Sequence, residues 1–275
     1  MITSTSNTKI KNIVKYAKSA KDRRKADVFL VEGIRMFTEI PRELLIETYV
    51  TESFCEKNHS LLDEVEYEMV SEHVMEAMTD TKSPQGVVGV VKRLHYSPEE
   101  VCGLENVSQT DANPKLLNKK TPLIMALENL QDPGNLGTII RTAEGAGVTG
   151  ILMSRETVDV YNPKVVRSTM GSIFRVPFCY VENLVEWMKK LNGCGFVTYS
   201  AHLQGTSFYD QDYRKATVFA IGNEGNGLTI ELSEATNQKI KIPMMGKVES
   251  LNAATASTVL MYEAMRQRNL LHRQN

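Results

Sequence analysis

The chain contains no run of about 18 or more consecutive apolar residues, so no segment is long enough to span a bilayer as a helix. Its start, Met1-Ile2-Thr3-Ser4-Thr5, lacks the apolar core of an export signal, and a cytoplasmic protein is expected. Cysteine is sparse. Cys55, Cys102, Cys179 and Cys194 form no Cys-x-x-Cys pair, and none has a histidine at ligand spacing. This composition predicts free thiols and no metal site. Neither sign of charge dominates, since 32 Lys and Arg face 33 Asp and Glu, so net charge does not announce a nucleic-acid partner. What is present is ordinary globular composition, 42% hydrophobic and 24% charged over 275 residues, which suits two domains of unequal size.

The distribution of charge says more than its sum. Lys9, Lys11, Lys15, Lys18, Lys21, Arg23, Arg24 and Lys25 crowd one short stretch against a single acid, Asp22. On a helix, Ile10, Ile13, Val14 and Ala17 make an apolar stripe, and Lys11, Lys15 and Lys18 face outward. Lys9, Lys11, Lys15, Lys18, Arg23 and Arg24 are therefore candidate phosphate contacts of a nucleic acid, with a solvated helix face as the alternative.

Residues 1–95 read as a small α/β domain. The strands are Val28–Val31, Leu45–Val50, Glu68–Val70 and Val87–Val91, the last announced by the turn Ser83-Pro84-Gln85-Gly86. Residues 96–121 are polar and rich in turn formers, as a linker would be. From 122 to 275 strands and helices alternate. Strands are expected at Leu123–Leu127, Gly150–Met153, Val176–Val181, Phe196–Ala201, Thr217–Ile221 and Lys239–Ile242. Helices are expected at Leu136–Ala146, Pro163–Met170, Asn183–Leu191, Thr229–Ala235 and Leu251–Leu271. That alternation predicts a mostly parallel sheet with helices on both faces. Ligands of such sheets sit beyond the carboxyl ends of the strands, so the loops after Leu127, Ile221 and Ile242 are where chemistry is expected.

Gly145-Ala146-Gly147-Val148-Thr149-Gly150 matches the dinucleotide fingerprint G-x-G-x-x-G, but in the wrong context. The fingerprint requires a strand feeding a helix, whereas here a helix ends and a strand begins, so Gly145 and Gly147 read as a helix stop. Three other segments carry more. After Leu127, the turn Asp132-Pro133-Gly134-Asn135 opens a helix with Asn135 as candidate N-cap, and Arg141 follows six residues later. Its guanidinium is either a surface charge or a fork suited to phosphate. After Ile221, Gly222-Asn223-Glu224-Gly225-Asn226-Gly227 is either a plain glycine turn or a backbone that approaches a ligand closely, with Glu224 to orient a partner. After Ile242, Pro243-Met244-Met245 leads to Ser250-Leu251-Asn252, where Ser250 or Asn252 caps the last helix.

Taken in order, N-x-G-x-x-x-R-T-A, I-G-N-E-G-x-G-L and I-P-M followed by S-L-N resemble the three motifs of SpoU/TrmH-type tRNA and rRNA 2′-O-ribose methyltransferases of the SPOUT superfamily. The N-terminal half, with Val31-Glu32-Gly33 and Ser83-Pro84-Gln85-Gly86, is similar to the family's RNA-binding extension. The resemblance implies a SPOUT-type trefoil knot in the C-terminal domain and a smaller N-terminal α/β RNA-binding domain. It implies S-adenosylmethionine as cofactor, contacted at Gly222, Ile242 and Leu251. It implies a catalytic cluster of Asn135, Arg141, Glu224, Ser250 and Asn252, and a homodimer joined through the C-terminal domain that completes the site. The expected activity is 2′-O-ribose methylation of RNA, ribosomal RNA in preference to transfer RNA; a transfer-RNA enzyme and an inactive RNA-binding protein are the alternatives. Ala253-Ala254-Thr255-Ala256 departs from the family's usual S-L-N-V-S-V-A, which puts side-chain contacts at 253–255 in doubt.

Overall fold

A computed structural model describes residues 1–104 and 121–272. The first elements are α1 (Thr8–Lys18), α2 (Ala20–Ala26), β1 (Val28–Glu32), α3 (Ile34–Phe37), β2 (Leu45–Val50), α4 (Glu52–Lys57), β3 (Glu68–Met69), α5 (Glu72–Met78), β4 (Val87–Lys92) and α6 (Pro98–Cys102). Then come β5 (Leu123–Leu127), α7 (Pro133–Ala146), β6 (Gly150–Ser154), α8 (Pro163–Thr169), β7 (Phe178–Val181) and α9 (Leu184–Gly193). The chain continues with β8 (Val197–Ser207), β9 (Thr217–Ile221), α10 (Ile230–Ala235), β10 (Gln238–Lys241) and α11 (Ala253–His272). It divides into two compact units, Met1–Leu94 with Asp159–Phe174, and the remainder.

The first unit is a four-stranded sheet in the order β1-β4-β2-β3, antiparallel except for the β2–β3 pair. Asn7 caps α1 by accepting from the Lys9 N–H at 2.9 Å. The helix turns Ile10 and Ile13 into a core with Val28, Leu30, Tyr49, Val74, Met75 and Val88. Side chains alternate along β1, so Phe29 faces the other way, and its ring lies 4.7 Å from Tyr161 and 6.0 Å from Phe174. Residues 159–174, placed by sequence within the C-terminal domain, thus complete the core of the first unit. Two ion pairs within that unit hold the same segment: Arg23 with Asp159, and Arg167 with Glu32 at 3.3 Å.

The second unit is an α/β layer around a six-stranded sheet, order β10-β8-β9-β5-β6-β7, in which every pairing is parallel. Its inner strands are apolar without alternation because both faces are covered. Ile124, Ala126, Leu152, Val218 and Ala220 pack against Val101 of α6, Leu184 and Met188 of α9, and Leu232 of α10. On the other face, Phe219 joins Tyr199 and Tyr213 in an aromatic cluster. There Gln267 of α11 accepts from the Tyr213 N–H at 2.9 Å, and α11 also packs along α7. The segment 96–121 is not all linker. Pro98–Cys102 is a capped helix whose Val101 and Cys102 are buried, while 105–120 lies outside the described residues. Gly147 ends α7 in the left-handed conformation (φ 76°), as the stop reading expects, but Gly145 is inside the helix and stops nothing.

Candidate active site

Three loops leave the carboxyl ends of β5, β9 and β10, and one set of side chains ties them together. The first loop opens α7 differently from expectation. Asp132, not Asn135, is the N-cap: its Oδ1 accepts from the Asn135 N–H at 2.8 Å, and Pro133 occupies the first turn. The Asn135 side chain is thereby free for other work. The second loop folds back on itself, with Asn223 N–H to Gly227 O at 3.0 Å and Gly227 N–H to Asn223 O at 2.9 Å. A Cβ on Gly222 would fall 2.1 Å from the Gly227 carbonyl carbon, which is why glycine stands there. The third loop ends at Asn252, whose Oδ1 caps α11 by accepting from Ala254 N–H (2.9 Å) and Thr255 N–H (3.3 Å).

Asn252 Nδ2 donates to Asn135 Oδ1 at 3.0 Å, and Asn135 Nδ2 donates to Glu224 Oε1 at 2.9 Å. Glu224 also accepts from the backbone N–H groups of Gln131 and Asp132, both at 3.1 Å. The orientation of each amide is fixed by this chain. Asn135 and Asn252 each keep one amide N–H with no partner among the described residues. Partial burial works to raise the Glu224 carboxyl, but the donors on Asn135, its own backbone, Gln131 and Asp132 outweigh it and hold it below the ordinary range. Glu224 is a committed acceptor.

Beside this cluster opens a cleft of about 1020 Å³, at the upper end of the range of roughly 300–1,000 Å³ for small-molecule sites. Gly222, Glu224, Ile242, Ser250, Leu251 and Asn252 all line it. S-adenosylmethionine fits this lining: Ile221, Leu228, Leu251 and Leu260 give apolar surface, and Asn223, Glu224, Ser250 and Asn252 are among the polar groups that line the same cleft. Among the described residues no cluster of three or more His, Cys, Asp or Glu is arranged to hold a metal ion.

Arg141 is not part of the hydrogen-bonded cluster. It is exposed and has no hydrogen-bond or ion-pair partner among the described residues. Six residues beyond Asn135 it lies about 9 Å further along α7 and is rotated by roughly 240°. It shares a stripe with Thr138 and Gly145, both exposed, and a Cβ on Gly145 would lie 3.3 Å from the Tyr262 hydroxyl of α11. In the first unit, Lys11, Lys15, Lys18 and Arg24 are exposed, and Lys9 pairs with Glu68. Arg23 is corrected. Its side chain is only 4% exposed, its Nε donates to Asp159 at 3.1 Å, and its Nη1 donates to Tyr16 O at 2.6 Å. It braces the fold and offers phosphate nothing. Sequence reasoning missed Asp132, although Asp-Pro is a helix-start signature, and Asn223, whose Nδ2 donates to Asn129 O at 2.8 Å to join two loops.

The fold and these loops define an α/β protein with a small-molecule cleft at the carboxyl edge of a parallel sheet. Comparison with known proteins makes the class specific: residues 122–262 match the SpoU rRNA Methylase family, and residues 7–89 match an MRM3-like substrate binding domain. The chain belongs to the SpoU family. It is 32% identical over 271 residues to the 23S rRNA (guanosine(2553)-2′-O)-methyltransferase RlmP of Bacillus subtilis, covering 95% of this chain and 97% of that one. An AdoMet-bound rRNA methyltransferase from Sinorhizobium meliloti aligns with a TM-score of 0.79 at 30% identity, over 96% of this chain and 97% of that one. The SpoU methyltransferase AviRb from Streptomyces viridochromogenes, in complex with AdoMet, aligns with a TM-score of 0.81 at 26% identity, over 96% and 98%.

Proposed function

We propose that this protein transfers a methyl group from S-adenosylmethionine to a ribose 2′-hydroxyl of ribosomal RNA. The observation that carries the proposal is the chain Glu224–Asn135–Asn252, which joins the three family motifs at the rim of one cleft. When bound, S-adenosylmethionine supplies a methyl group already activated by its sulfonium. Gly222, Ile242 and Leu251 hold the cofactor against the loop backbone. The residues then have to place a weak nucleophile and manage the charge that develops on it. The free N–H groups of Asn135 and Asn252 orient the ribose, and the exposed Ser250, which lines the same cleft as Asn252, adds a hydroxyl. Arg141 does not act as a base, since guanidinium is effectively always protonated. It grips the adjacent phosphate and stabilises the developing oxyanion.

Arg141, two turns along α7 on another face, calls for a second copy to complete the site. The exposed stripe of Thr138, Arg141 and Gly145, with Tyr262 (44% exposed) beside it, supports a homodimer built on α7 and α11. The trefoil knot belongs to the same reading, supported by the shared cleft of the second and third loops. Lys11, Lys15, Lys18 and Arg24 track phosphates, and the protein works in the cytoplasm, a reading that a ribosomal substrate supports. Tritium transfer from labelled cofactor to ribosomal RNA, followed by mapping of 2′-O-methyl positions, tests the activity. A new modified nucleotide in ribosomal RNA supports the proposal, label in transfer RNA alone moves the substrate, and no transfer to any RNA overturns it.

A further inference from the structure

Glu128, the first residue after β5, is 8% exposed, and among the described residues no lysine or arginine pairs with it. A carboxylate so buried needs donors. Its donors come from the far end of the glycine loop. Oε2 accepts from the Thr229 N–H and Oε1 from the Thr229 hydroxyl, each at 2.7 Å. Glu128's own N–H donates to Ile221 O at 2.9 Å. Ile221 immediately precedes Gly222 and Thr229 immediately follows Leu228, so a single residue closes the loop at both ends.

The polarity of this clasp is fixed. Thr229 Oγ1 accepts from the Leu232 N–H at 3.2 Å as the cap of α10, while its O–H donates to Glu128. Both carboxylate oxygens accept in this clasp, Oε2 from a backbone N–H and Oε1 from the hydroxyl. Inside the loop the Asn223–Gly227 pair sets the tip, and Glu224 ties the tip to α7. The exit limb, Gly227 and Leu228, also faces the cleft: Gly227 is held by its pair with Asn223, Leu228 packs on the core, and the limb ends at Thr229. Thr229 anchors that end, through Glu128.

We propose that Glu128 is a positioning residue for the cofactor, acting through Thr229 to hold Gly222–Leu228 in the shape that S-adenosylmethionine binds. This rests on the cofactor reading above. Glu128 touches neither the cofactor nor the ribose, and its effect falls on binding of the donor rather than on the methyl-transfer step. Glu128→Gln has the same shape but loses the charge and turns an amide N–H₂ towards the Thr229 hydroxyl, which replaces two charge-assisted hydrogen bonds by neutral ones and loosens the clasp.

The test is titration calorimetry with S-adenosylmethionine, together with steady-state kinetics, on the full chain and on E128Q, T229V and T229S. E128Q is expected to weaken cofactor binding about tenfold, equivalent to about 1.4 kcal/mol, and to raise KM for the cofactor by the same factor. kcat at saturating cofactor and KM for RNA stay within about twofold of wild type. T229S keeps both donors and matches wild type; T229V loses the hydroxyl and shows an intermediate loss. Should E128Q fail to fold, the T229V and T229S pair decides. Wild-type affinity in folded E128Q or T229V, equal losses in T229S and T229V, or a fall in kcat at unchanged affinity overturns the proposal. If wild type itself binds no S-adenosylmethionine, the cofactor reading falls with it; if only the variants depart from expectation, the cofactor reading stands and the role of Glu128 does not.

Discussion

Glu224→Gln is the sharpest probe of the cluster, because it separates holding the loops together from filling space. Glu224 accepts from Asn135 Nδ2 at 2.9 Å and from two backbone N–H groups at 3.1 Å. A glutamine retains one acceptor oxygen, loses the charge and turns a donor towards donors. The site is well exposed, so the loss is smaller than for a buried charge: about 1–2 kcal/mol of stability. For a domain of this size that is a few degrees in Tm, roughly 2–4 °C per kcal/mol. Turnover suffers more. Releasing Asn135 lets the ribose-orienting amides drift, and a misplacement of about 1 Å costs on the order of a hundredfold in rate. The sign with pH follows from the depressed carboxyl. A group whose folded pKa lies below its unfolded value contributes stability above the unfolded value, here the ordinary 4.5, and loses it as pH falls through the folded pKa. The Tm difference between wild type and E224Q is therefore expected to be constant from about pH 8 to pH 5 and to shrink below 4.5. Thermal melts across pH with single-turnover methylation at neutral pH provide both readouts. Wild-type turnover in E224Q, or a stability gap that widens on acidification, refutes the reasoning.

Arg141→Lys keeps the charge but loses the planar fork, so turnover is expected to fall by about a hundredfold or more at near-normal RNA affinity. Its unfolding free energy should match wild type to within about 0.5 kcal/mol, because the Arg141 side chain has no partner among the described residues. Gly222→Ala places a Cβ 2.1 Å from the Gly227 carbonyl carbon and should weaken cofactor binding by about ten- to a hundredfold in calorimetry while the circular dichroism of the sheet is retained. Reversing Lys11, Lys15 and Lys18 to Glu should lower RNA affinity in filter binding and flatten its salt dependence, by about one unit of slope per lost phosphate contact. Arg23→Ala should cost about 3–5 kcal/mol in denaturant unfolding, since it strands a partly buried Asp159 in the first unit.

Much of the second unit was legible along the chain. Strand and helix alternation named the parallel sheet, and the three loops after Leu127, Ile221 and Ile242 were placed at the right strand ends. Boundaries were less secure. The first helix after β5 starts three residues earlier than Leu136, at Pro133, because Asp132 took the cap expected of Asn135. Two neighbouring cap-forming residues compete for one helix end, and propensity alone does not rank them. The first unit is the small α/β domain expected, but its second segment, residues 159–174, was not, since the aromatic contacts of Phe29 reach across about half the chain.

Residue types and local periodicity determined by themselves which segments are strands, where the loops fall, and that polar and glycine-rich chemistry gathers at three of them. These are properties of a few neighbouring residues, and the chain carries them wherever it goes. Only the tertiary structure decided that Asn135 serves Glu224 and Asn252 instead of its own helix, and that Arg141 stands apart from them on α7. It also decided that Arg23 is buried against an aspartate 136 residues away instead of lying on the basic ridge. A side chain's partner depends on what distant backbone brings beside it, and burial changes a charge from a surface contact into a structural tie.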